Sequence, residues 1–374
     1  MAHRSQRKGG GLVENGSLWK RLKEADKPIV LYGMGNGADK VLDHMEKLAI
    51  SAAGVFASDG FARRQIYRGF PVTTYGEAKA RFGAMIVLVC FGSSRPEVLE
   101  NIRAIAREQE LYAPDVPVYG GGIFDEDYRN AHREELARVR QMLADEQSVK
   151  TFDSVLAYKL TGKPGYLTDC QTMPEEAFAN ILCLTEHESY LDLGAFTGDT
   201  VAGFLKATGG KYDRIIAVEP DRKSFVRLVK NTAGLENCRL VNCGVGSRYE
   251  TAAFAAGGGR NAARAEEGEQ ITFDTVDNIV LSRPVTYIKM DVEGQEAAAI
   301  AGAAGTIRRY RPKLLVSAYH RNEDLFALPL QVKAICPDYR VYLRHHPYIP
   351  AWDTNYYFVP TDPLRSCQTH RTVV

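Results

Sequence analysis

Short apolar runs recur along the chain, and a helical period of apolar positions follows most of them. The runs "PIVLYG" and "MIVLVCFG" in the first third, and "SYLDLG", "RIIAVEP", "TYIKMD" and "KLLVSAYH" in the second half, are typical of buried strands. Strands that alternate with helices indicate a mostly parallel sheet with helices on its faces. Two such series, separated by a charged helical stretch, predict two α/β units.

The pattern divides the chain into four parts. Residues 1–27 begin with a basic, polar stretch that lacks the apolar core of a signal peptide, so we expect a flexible leader. Residues 28–122 form the first unit, a small Rossmann-like domain. Residues 123–180 have the amphipathic pattern of connecting helices. Residues 181–374 form the larger second unit.

The first unit contains a glycine loop directly after its first predicted strand, which we call the first glycine loop (residues 33–37). Its sequence fits the pattern G-x-G-x-x-A of dinucleotide-binding domains, and an acid follows about twenty residues later, where such domains contact a ribose. Nucleotide binding here would involve Gly33, Gly35, Asn36, Gly37 and Asp59.

The stretches "VLYGMGNGADKV", "GVFASDG" and "IYRGFPVTTYGEA" resemble Rossmann-like domains that precede sugar-modifying modules, including nucleotide-sugar-binding domains. Three roles for the first unit stay open: it binds a sugar nucleotide, it binds a dinucleotide as a redox partner, or it is a degenerate scaffold for a homodimer. The absence of a Tyr-x-x-x-Lys pair in the expected place counts against redox chemistry.

The second unit has a different loop, "LDLGAFTGDT", whose residues 194–198 we call the second glycine loop. Glycines at a strand end let a ligand approach the backbone and the N–H groups of the following helix. The acid that leads into the loop, Asp192, would repel a pyrophosphate but suits an ammonium group. The next strand ends in Glu219, a natural acceptor for two ribose hydroxyls. Together these features point to S-adenosylmethionine.

The ordered motifs "LDLGAFTGDT", "AVEPD", "TFDTVDNI", "YIKMDVEGQE", "RPKLLVSAYHR" and "YLRHH" resemble the FkbM family of S-adenosylmethionine-dependent methyltransferases, over roughly residues 153–360. The resemblance implies a class I methyltransferase sheet of seven strands with the last one antiparallel. It also implies O-methylation, commonly of a sugar hydroxyl in a glycan, glycolipid, sugar nucleotide or natural product. A non-catalytic cofactor-binding or sugar-nucleotide-binding scaffold in glycan biosynthesis is the alternative.

Residue by residue, the resemblance and the strand-end positions assign two groups of residues. The cofactor would contact Asp192, Gly194, Ala195, Phe196, Thr197, Gly198, Thr200, Glu219, Pro220, Asp221, Asn242, Gly244, Val245 and Asp291. The catalytic candidates are Asp291, Glu293 and His320, because ligands bind beyond the carboxyl ends of parallel strands and all three follow such strands.

A metal ion is the main alternative within this chemistry. Asp291, Glu293 and His320 could together hold a divalent cation by residue type. No H-x-x-x-H or C-x-x-C spacing supports a dedicated site, however, so the sequence favours a metal-independent reaction.

Charge and composition exclude several classes of protein. The formal net charge is +1, which is no signature of nucleic-acid binding, and no apolar run approaches the roughly 18 residues of a membrane span. The seven cysteines are scattered and indicate reduced thiols in the cytoplasm. We therefore expect a cytoplasmic enzyme with a small-molecule or glycan acceptor, and a homodimer remains open.

Overall fold

The first unit is built on a six-stranded sheet. The computed structural model describes residues 17–63, 65–255, 263–264 and 268–361. The strands of this sheet are β1 (Ile29–Tyr32), β2 (Gly54–Phe56), β3 (Ile66–Tyr67), β4 (Phe70–Thr73), β5 (Ile86–Val89) and β6 (Glu110–Tyr112). Their order is β3-β4-β2-β1-β5-β6, and all neighbours are parallel except β3 and β4. The helices between them are α2 (Asn36–Lys47), α3 (Tyr75–Phe82) and α4 (Pro96–Glu108).

The predicted leader is partly helical. Residues 1–16 lie outside the described residues, but α1 (Leu18–Lys23) follows, with the Ser17 side chain accepting a hydrogen bond from the backbone N–H of Lys20. Leu18, Trp19 and Leu22 are buried in the core of the first unit. The expectation of flexibility is therefore wrong for this helix, because an apolar face anchors it to the sheet.

The region between the two sheets consists of short and long helices, as the pattern of residues 123–180 predicts. They are α5 (Glu126–Ala131), α6 (Arg133–Met142), α7 (Glu146–Thr161), α8 (Gly165–Cys170) and α9 (Pro174–Ala177), followed by one π-helical turn over Phe178–Leu182. Helix α7 is the longest of these and buries Phe152, Val155 and Tyr158 in a core cluster that contains strand residues of both units.

The second unit carries a seven-stranded sheet and a smaller four-stranded one. Their strands are β7 (Ser189–Leu193), β8 (Arg214–Val218), β9 (Cys238–Val241), β10 (Gly244–Val245), β11 (Glu250–Ala255), β12 (Ala263–Arg264), β13 (Glu269–Asp274), β14 (Tyr287–Met290), β15 (Lys313–Ser317), β16 (Tyr339–His345) and β17 (Thr354–Pro360). The helices are α10 (Asp199–Ala207), α11 (Arg222–Asn231), α12 (Val276–Ile279), α13 (Glu296–Gly302), α14 (Ala304–Tyr310) and α15 (Asp324–Ile335).

The large sheet has the order β16-β17-β15-β14-β7-β8-β9. Strands β9, β8, β7, β14 and β15 are parallel, whereas β17 runs antiparallel to both β15 and β16. The predicted fold class, a seven-stranded methyltransferase sheet with an antiparallel last strand and a smaller α/β domain before it, is confirmed. The topology brings the carboxyl ends of β7, β8, β14 and β15 to one edge.

The two units meet through backbone hydrogen bonds as well as through the shared core. Ser93, just after β5, exchanges two hydrogen bonds with Ile349, with N···O distances of 2.9 and 3.1 Å. The N–H of Tyr119 donates to the carbonyl of His320 at 2.9 Å. The first unit is therefore fixed against the sheet edge that the methyltransferase motifs occupy. Among the described residues, no helix is long and apolar enough to cross a membrane.

Candidate functional site

A cavity of about 400 Å³ lies at the carboxyl ends of the central strands of the large sheet. This is within the usual size range of small-molecule sites. Its lining includes residues of the second glycine loop, the ends of β8, β14 and β15, the small sheet, and the first unit. The lining residues from the motifs and the small sheet are Gly194, Phe196, Asp199, Thr200, Val218, Glu219, Pro220, Gly244, Val245, Phe254, Phe273, Lys289, Asp291, Val292, Glu293, Gln295, Tyr319 and His320.

Asp192 is buried beneath this cavity at the end of β7 and does not line it. One carboxylate oxygen, Oδ2, accepts a hydrogen bond from the hydroxyl of Thr200, which does line the cavity. The other, Oδ1, lies 3.4 Å from Nζ of Lys289 but has no hydrogen-bond partner among the described residues. Burial raises the pKa of Asp192 and outweighs the opposing effect of Lys289. Asp192 therefore supports the loop from below.

Glu219 is held in one orientation at the end of β8. Its Oε2 accepts from the backbone N–H of Phe196 and its Oε1 from that of Asp221, both at 2.8 Å. The side chain is buried yet lines the cavity, and burial raises its pKa. Each oxygen keeps a second lone pair, so Glu219 can accept two further hydrogen bonds from a ligand.

Gly194 lies where two strand-end loops cross. Its φ is +79°, and a Cβ at this position would overlap the carbonyl oxygen of Asp291. Only glycine combines this backbone conformation with such close contact. The first residue of the second glycine loop is therefore fixed by the neighbouring strand end as well as by its own turn.

The remaining predicted cofactor residues surround the cavity without lining it. Ala195 is buried, Gly198 is the N-cap of α10, and Asp221 caps α11 through the N–H of Ser224. Asn242 donates from its side chain to the carbonyls of Glu219 and Pro220. Thr197 accepts from the side chain of Asn231 through its carbonyl. These residues shape the loop and strand ends that reach the cavity.

The three catalytic candidates lie side by side. Nε2 of His320 is 3.5 Å from Oδ1 of Asp291 and 3.4 Å from Oε2 of Glu293. The hydroxyl of Tyr319 donates to the same Oδ1 of Asp291 at 3.1 Å. Strand ends β14 and β15 are neighbours, which is why residues separated by almost thirty positions converge. Asp291 is about a third exposed, whereas His320 is almost wholly buried.

A fourth residue, which the sequence did not single out, completes this group. Oε1 of Glu296, in the first turn of α13, lies 3.0 Å from Nδ1 of His320 and accepts from the backbone N–H of Val292 at 2.8 Å. We call Asp291, Glu293, Glu296 and His320 the acid–histidine cluster. Glu296 falls inside the quoted motif "YIKMDVEGQE", five residues after Asp291, but its contact with a histidine on the next strand could not be inferred from spacing.

Within the acid–histidine cluster, burial and neighbouring charges shift the pKa values of individual members. Burial alone would lower the pKa of His320, but the charge of Glu296 and its ion pair, together with Asp291 and Glu293, outweigh burial and raise that pKa to about 10. Burial raises the pKa of Glu293 to about 7. The charge of Asp291 acts in the same direction as burial, whereas the charge of His320 acts against it. Perturbed groups that converge on a cavity are typical of functional sites.

The first unit supplies part of the cavity wall. Ser94 and Val118 line it together with Tyr348 and Trp352 of the second unit. Gly92 packs so closely on the ring of Trp352 that a Cβ there would overlap it. These four lining residues could not be predicted from the sequence, because they belong to loops that are far apart in the chain.

The first glycine loop does not contribute to this cavity. Gly33 packs against the ring of Phe91, and a Cβ at Gly37 would overlap the carbonyl oxygen of Cys90. Gly35 is the N-cap of α2, which begins at Asn36, and Asp59 is exposed. The hydroxyl of Tyr67 donates to the carbonyl of Gly35. Nucleotide binding by these residues stays a prediction.

Comparison with known proteins supports the second unit's assignment. Residues 192–350 match the family model described as "Methyltransferase FkbM domain". A search of curated protein sequences gave no significant match.

Several solved structures are similar in fold. A methyltransferase FkbM from Methylobacillus flagellatus KT is 24% identical, with a TM-score of 0.69 over 89% of this chain and 90% of that one. An rRNA methylase from Streptococcus thermophilus is 12% identical, with a TM-score of 0.33 over 54% of this chain and 98% of that one. At these identities the first likeness shows the fold, across both units, and the second carries no argument.

The matched range begins at Asp192, includes the second glycine loop and the acid–histidine cluster, and ends just after Ile349, which contacts the first unit. The resemblance noted in the sequence is therefore confirmed: residues 192–350 match the model of the FkbM methyltransferase domain.

Proposed function

We propose that this protein is an S-adenosylmethionine-dependent O-methyltransferase that acts on a sugar hydroxyl of a glycan, glycolipid, sugar nucleotide or natural product. The observation that carries the proposal is a single cavity. It joins the second glycine loop and Glu219, on one side, to the acid–histidine cluster on the other. A methyl donor and an acceptor must share such a space for the transfer to occur.

The residues present fit S-adenosylmethionine. Glu219 is buried, fixed by two backbone N–H groups and open to the cavity, as a ribose acceptor must be. Gly244, Val245, Phe254 and Phe273 all line the cavity, and together they offer an apolar site for an adenine ring. Asp192 lies beneath the loop and accepts a hydrogen bond from the hydroxyl of Thr200, which lines the cavity. It therefore supports the loop that would hold the cofactor and does not touch the ligand itself.

When bound, S-adenosylmethionine would supply an activated methyl group. The contribution of the chain is to hold the acceptor oxygen in line with that group and to accept its proton. Asp291 is the cluster member most open to the cavity, and Tyr319 fixes its carboxylate. Orientation of the two reactants supplies much of the rate in such reactions, and a positioned base typically adds about 10²–10⁴-fold.

The acceptor side of the cavity favours a sugar over a purely apolar substrate. Tyr348 and Trp352 present aromatic rings, with centroids 6.0 Å apart, next to the polar residues Ser94 and Asp353. The C–H faces of a sugar ring can pack on aromatic rings, while its hydroxyls need polar partners nearby.

Cofactor binding is tested first by Glu219→Ala. The substitution leaves the ribose hydroxyls and the N–H groups of Phe196 and Asp221 without acceptors, so S-adenosylhomocysteine should bind about 1–3 kcal/mol more weakly in calorimetry. Glu236→Ala, at an exposed glutamate of the same unit, is the matched control and should bind as the wild type does. Equal affinities in the wild type and both variants would contradict the assignment of Glu219 to cofactor binding.

The reaction itself is tested by incubating the protein with S-adenosylmethionine and a panel of sugars, sugar nucleotides and glycolipids. Release of S-adenosylhomocysteine together with a product heavier by one methylene unit is the expected result. Tight cofactor binding without turnover on any acceptor would favour the alternative, a non-catalytic scaffold of glycan biosynthesis.

A further inference from the structure

The acid–histidine cluster has more buried negative charge than its proposed part in methyl transfer requires. Asp291, Glu293 and Glu296 all lie within 3.5 Å of the single imidazole of His320. Asp324, at the start of α15, is also buried. Buried carboxylates in such a group are normally paired, hydrogen-bonded or bound to a metal.

Two polar groups near this imidazole have no hydrogen-bond partner. Seven such buried side-chain atoms are found in the part of the chain that the structure describes, and they include Oε2 of Glu296 and the hydroxyl of Tyr119. Oε1 of Glu296, by contrast, is ion-paired with Nδ1 of His320 at 3.0 Å. The ring of Tyr119 lies 6.2 Å from that of His320. Each unpaired buried group costs about 1–3 kcal/mol, so their concentration in one place indicates a missing partner.

The distances within the cluster fit a cation. One carboxylate oxygen of Asp291, one of Glu296 and one ring nitrogen of His320 all lie within 4.8 Å of one another. Ligand atoms that each lie about 2.1 Å from a tetrahedral ion are about 3.4 Å apart. The separations of 3.5 Å and 3.4 Å from Nε2 of His320 to Asp291 and Glu293 match that spacing and are long for hydrogen bonds.

We propose that Asp291, Glu293 and Nε2 of His320 bind a divalent transition-metal ion, with Glu296 beside them as a further carboxylate that holds the imidazole through Nδ1. One imidazole nitrogen and carboxylate oxygens form a mixed ligand set that suits Mn²⁺ or Zn²⁺ better than a set of oxygens alone would. The buried position of Glu296 and His320, each 1% exposed, protects the ion from bulk water. Asp291 connects the site to the cavity, because it is about a third exposed and lines it.

The site has a consequence for catalysis that rests on the proposed function. An ion held by Asp291 would lie at the acceptor side of the cavity, where it would lower the pKa of a hydroxyl that reached it. The sequence favoured a metal-independent reaction because the ligand spacing lacked a motif. The structure assembles the ligands from the ends of two strands instead.

Metal binding is measured on the full chain after treatment with a chelator and dialysis. Mn²⁺ and Zn²⁺ are titrated separately by calorimetry, with the bound metal counted by mass spectrometry, and Mg²⁺ serves as the oxygen-preferring comparison ion. We expect one Mn²⁺ or Zn²⁺ per chain, and at least about 10-fold weaker binding for Glu296→Gln and Asp291→Asn, as loss of a ligand or its immediate support usually gives.

Glu296→Gln keeps the shape of the side chain and an oxygen for the N–H of Val292, so this variant should fold. Glu323→Gln removes an exposed carboxylate next to Asp324 and is the matched control, with binding expected to equal that of the wild type. No binding of either ion, or equal binding in all variants, would overturn the proposal and leave a buried water as the missing partner. A rise in the unfolding temperature with metal, absent in Glu296→Gln, is the supporting second measurement.

The same preparation is titrated with S-adenosylhomocysteine, which separates the two proposals. Metal binding without cofactor binding would remove the proposed function and leave the metal site. Cofactor binding without metal binding would overturn the metal site and leave the proposed function.

Discussion

The two glycine loops of this chain have similar positions in their sheets but different surroundings. Each follows the central strand of a parallel sheet, contains glycines with positive φ and leads into a helix. The first glycine loop is packed between Phe91 and the carbonyl of Cys90, and Tyr67 hydrogen-bonds to the carbonyl of Gly35. The second lines a cavity of about 400 Å³.

The difference lies in the neighbouring strands and not in the loops. Next to the second glycine loop, β8 ends in the fixed carboxylate of Glu219, and β14 ends in Asp291. Next to the first, β2 leads to Asp59, which is exposed and has no salt bridge among the described residues. A glycine loop before a helix is thus a general way to connect strand and helix. It becomes a ligand site when the adjacent strand ends supply polar side chains.

The largest effect that separates the loops should come from Gly194→Ala. The new Cβ would overlap the carbonyl of Asp291 at a positive φ, so we expect roughly 4 kcal/mol or more of lost stability and no measurable binding of S-adenosylhomocysteine. Gly35→Ala is the counterpart, since it has a positive φ but open space around it. It should lose only about 1–3 kcal/mol and keep full cofactor affinity. Urea denaturation and calorimetry measure both quantities, and wild-type affinity in Gly194→Ala would contradict the comparison.

A second experiment distinguishes the cofactor side of the cavity from its acceptor side. His320→Ala should leave the affinity for S-adenosylhomocysteine unchanged and lower turnover by about 10²–10⁴-fold, because His320 belongs to the acceptor side. Chelation of the wild type should lower turnover as well, if the proposed ion acts there. Full activity in His320→Ala together with resistance to chelators would leave acceptor positioning by Asp291 as the remaining explanation.

The smallest expected effect concerns the first glycine loop. S-adenosylhomocysteine at 100 times its dissociation constant should stabilise the full chain by about 2.7 kcal/mol. UDP-glucose and NAD⁺ should give no shift in the same thermal-shift assay, because Gly33 and Gly37 of this loop pack against Phe91 and the carbonyl of Cys90. A shift with either nucleotide that Asp59→Ala removes would instead establish a nucleotide site in the first unit.

Local patterns were sufficient to predict the central strands of the second unit. Strands β7, β8, β14 and β15 are almost wholly buried apolar runs with motifs at their ends, so the edge that carries the site followed from sequence. The number of strands and the antiparallel last strand followed only from the family resemblance. Helix α1 was missed inside the expected leader, although Ser17 before Leu18, Trp19 and Leu22 is a typical helix start with one apolar face. The polar leader before it obscured that signal.

The parts of the site that could not be predicted depend on contacts between distant segments. Ser94 and Tyr119 reach the second unit only because the two units pack together. Trp352 follows the end of β16 by several residues, in a loop without a motif. Glu296 was quoted within a motif, but its role depends on the ring of His320 across the sheet edge. No periodicity in the sequence encodes such pairings.

Under the proposed function, the contact of Ser93 with Ile349 would give the first unit an influence on acceptor choice. Because the segment around Ser93 and Ser94 is held to the loop that carries Tyr348 and Trp352, substitutions in the first unit can reshape the acceptor side of the cavity without altering the methyltransferase motifs. Proteins of this architecture that prefer different substrates should therefore differ in two sequence regions that lie more than two hundred positions apart. Exchanging only the methyltransferase domain between two such proteins should fail to transfer the substrate preference.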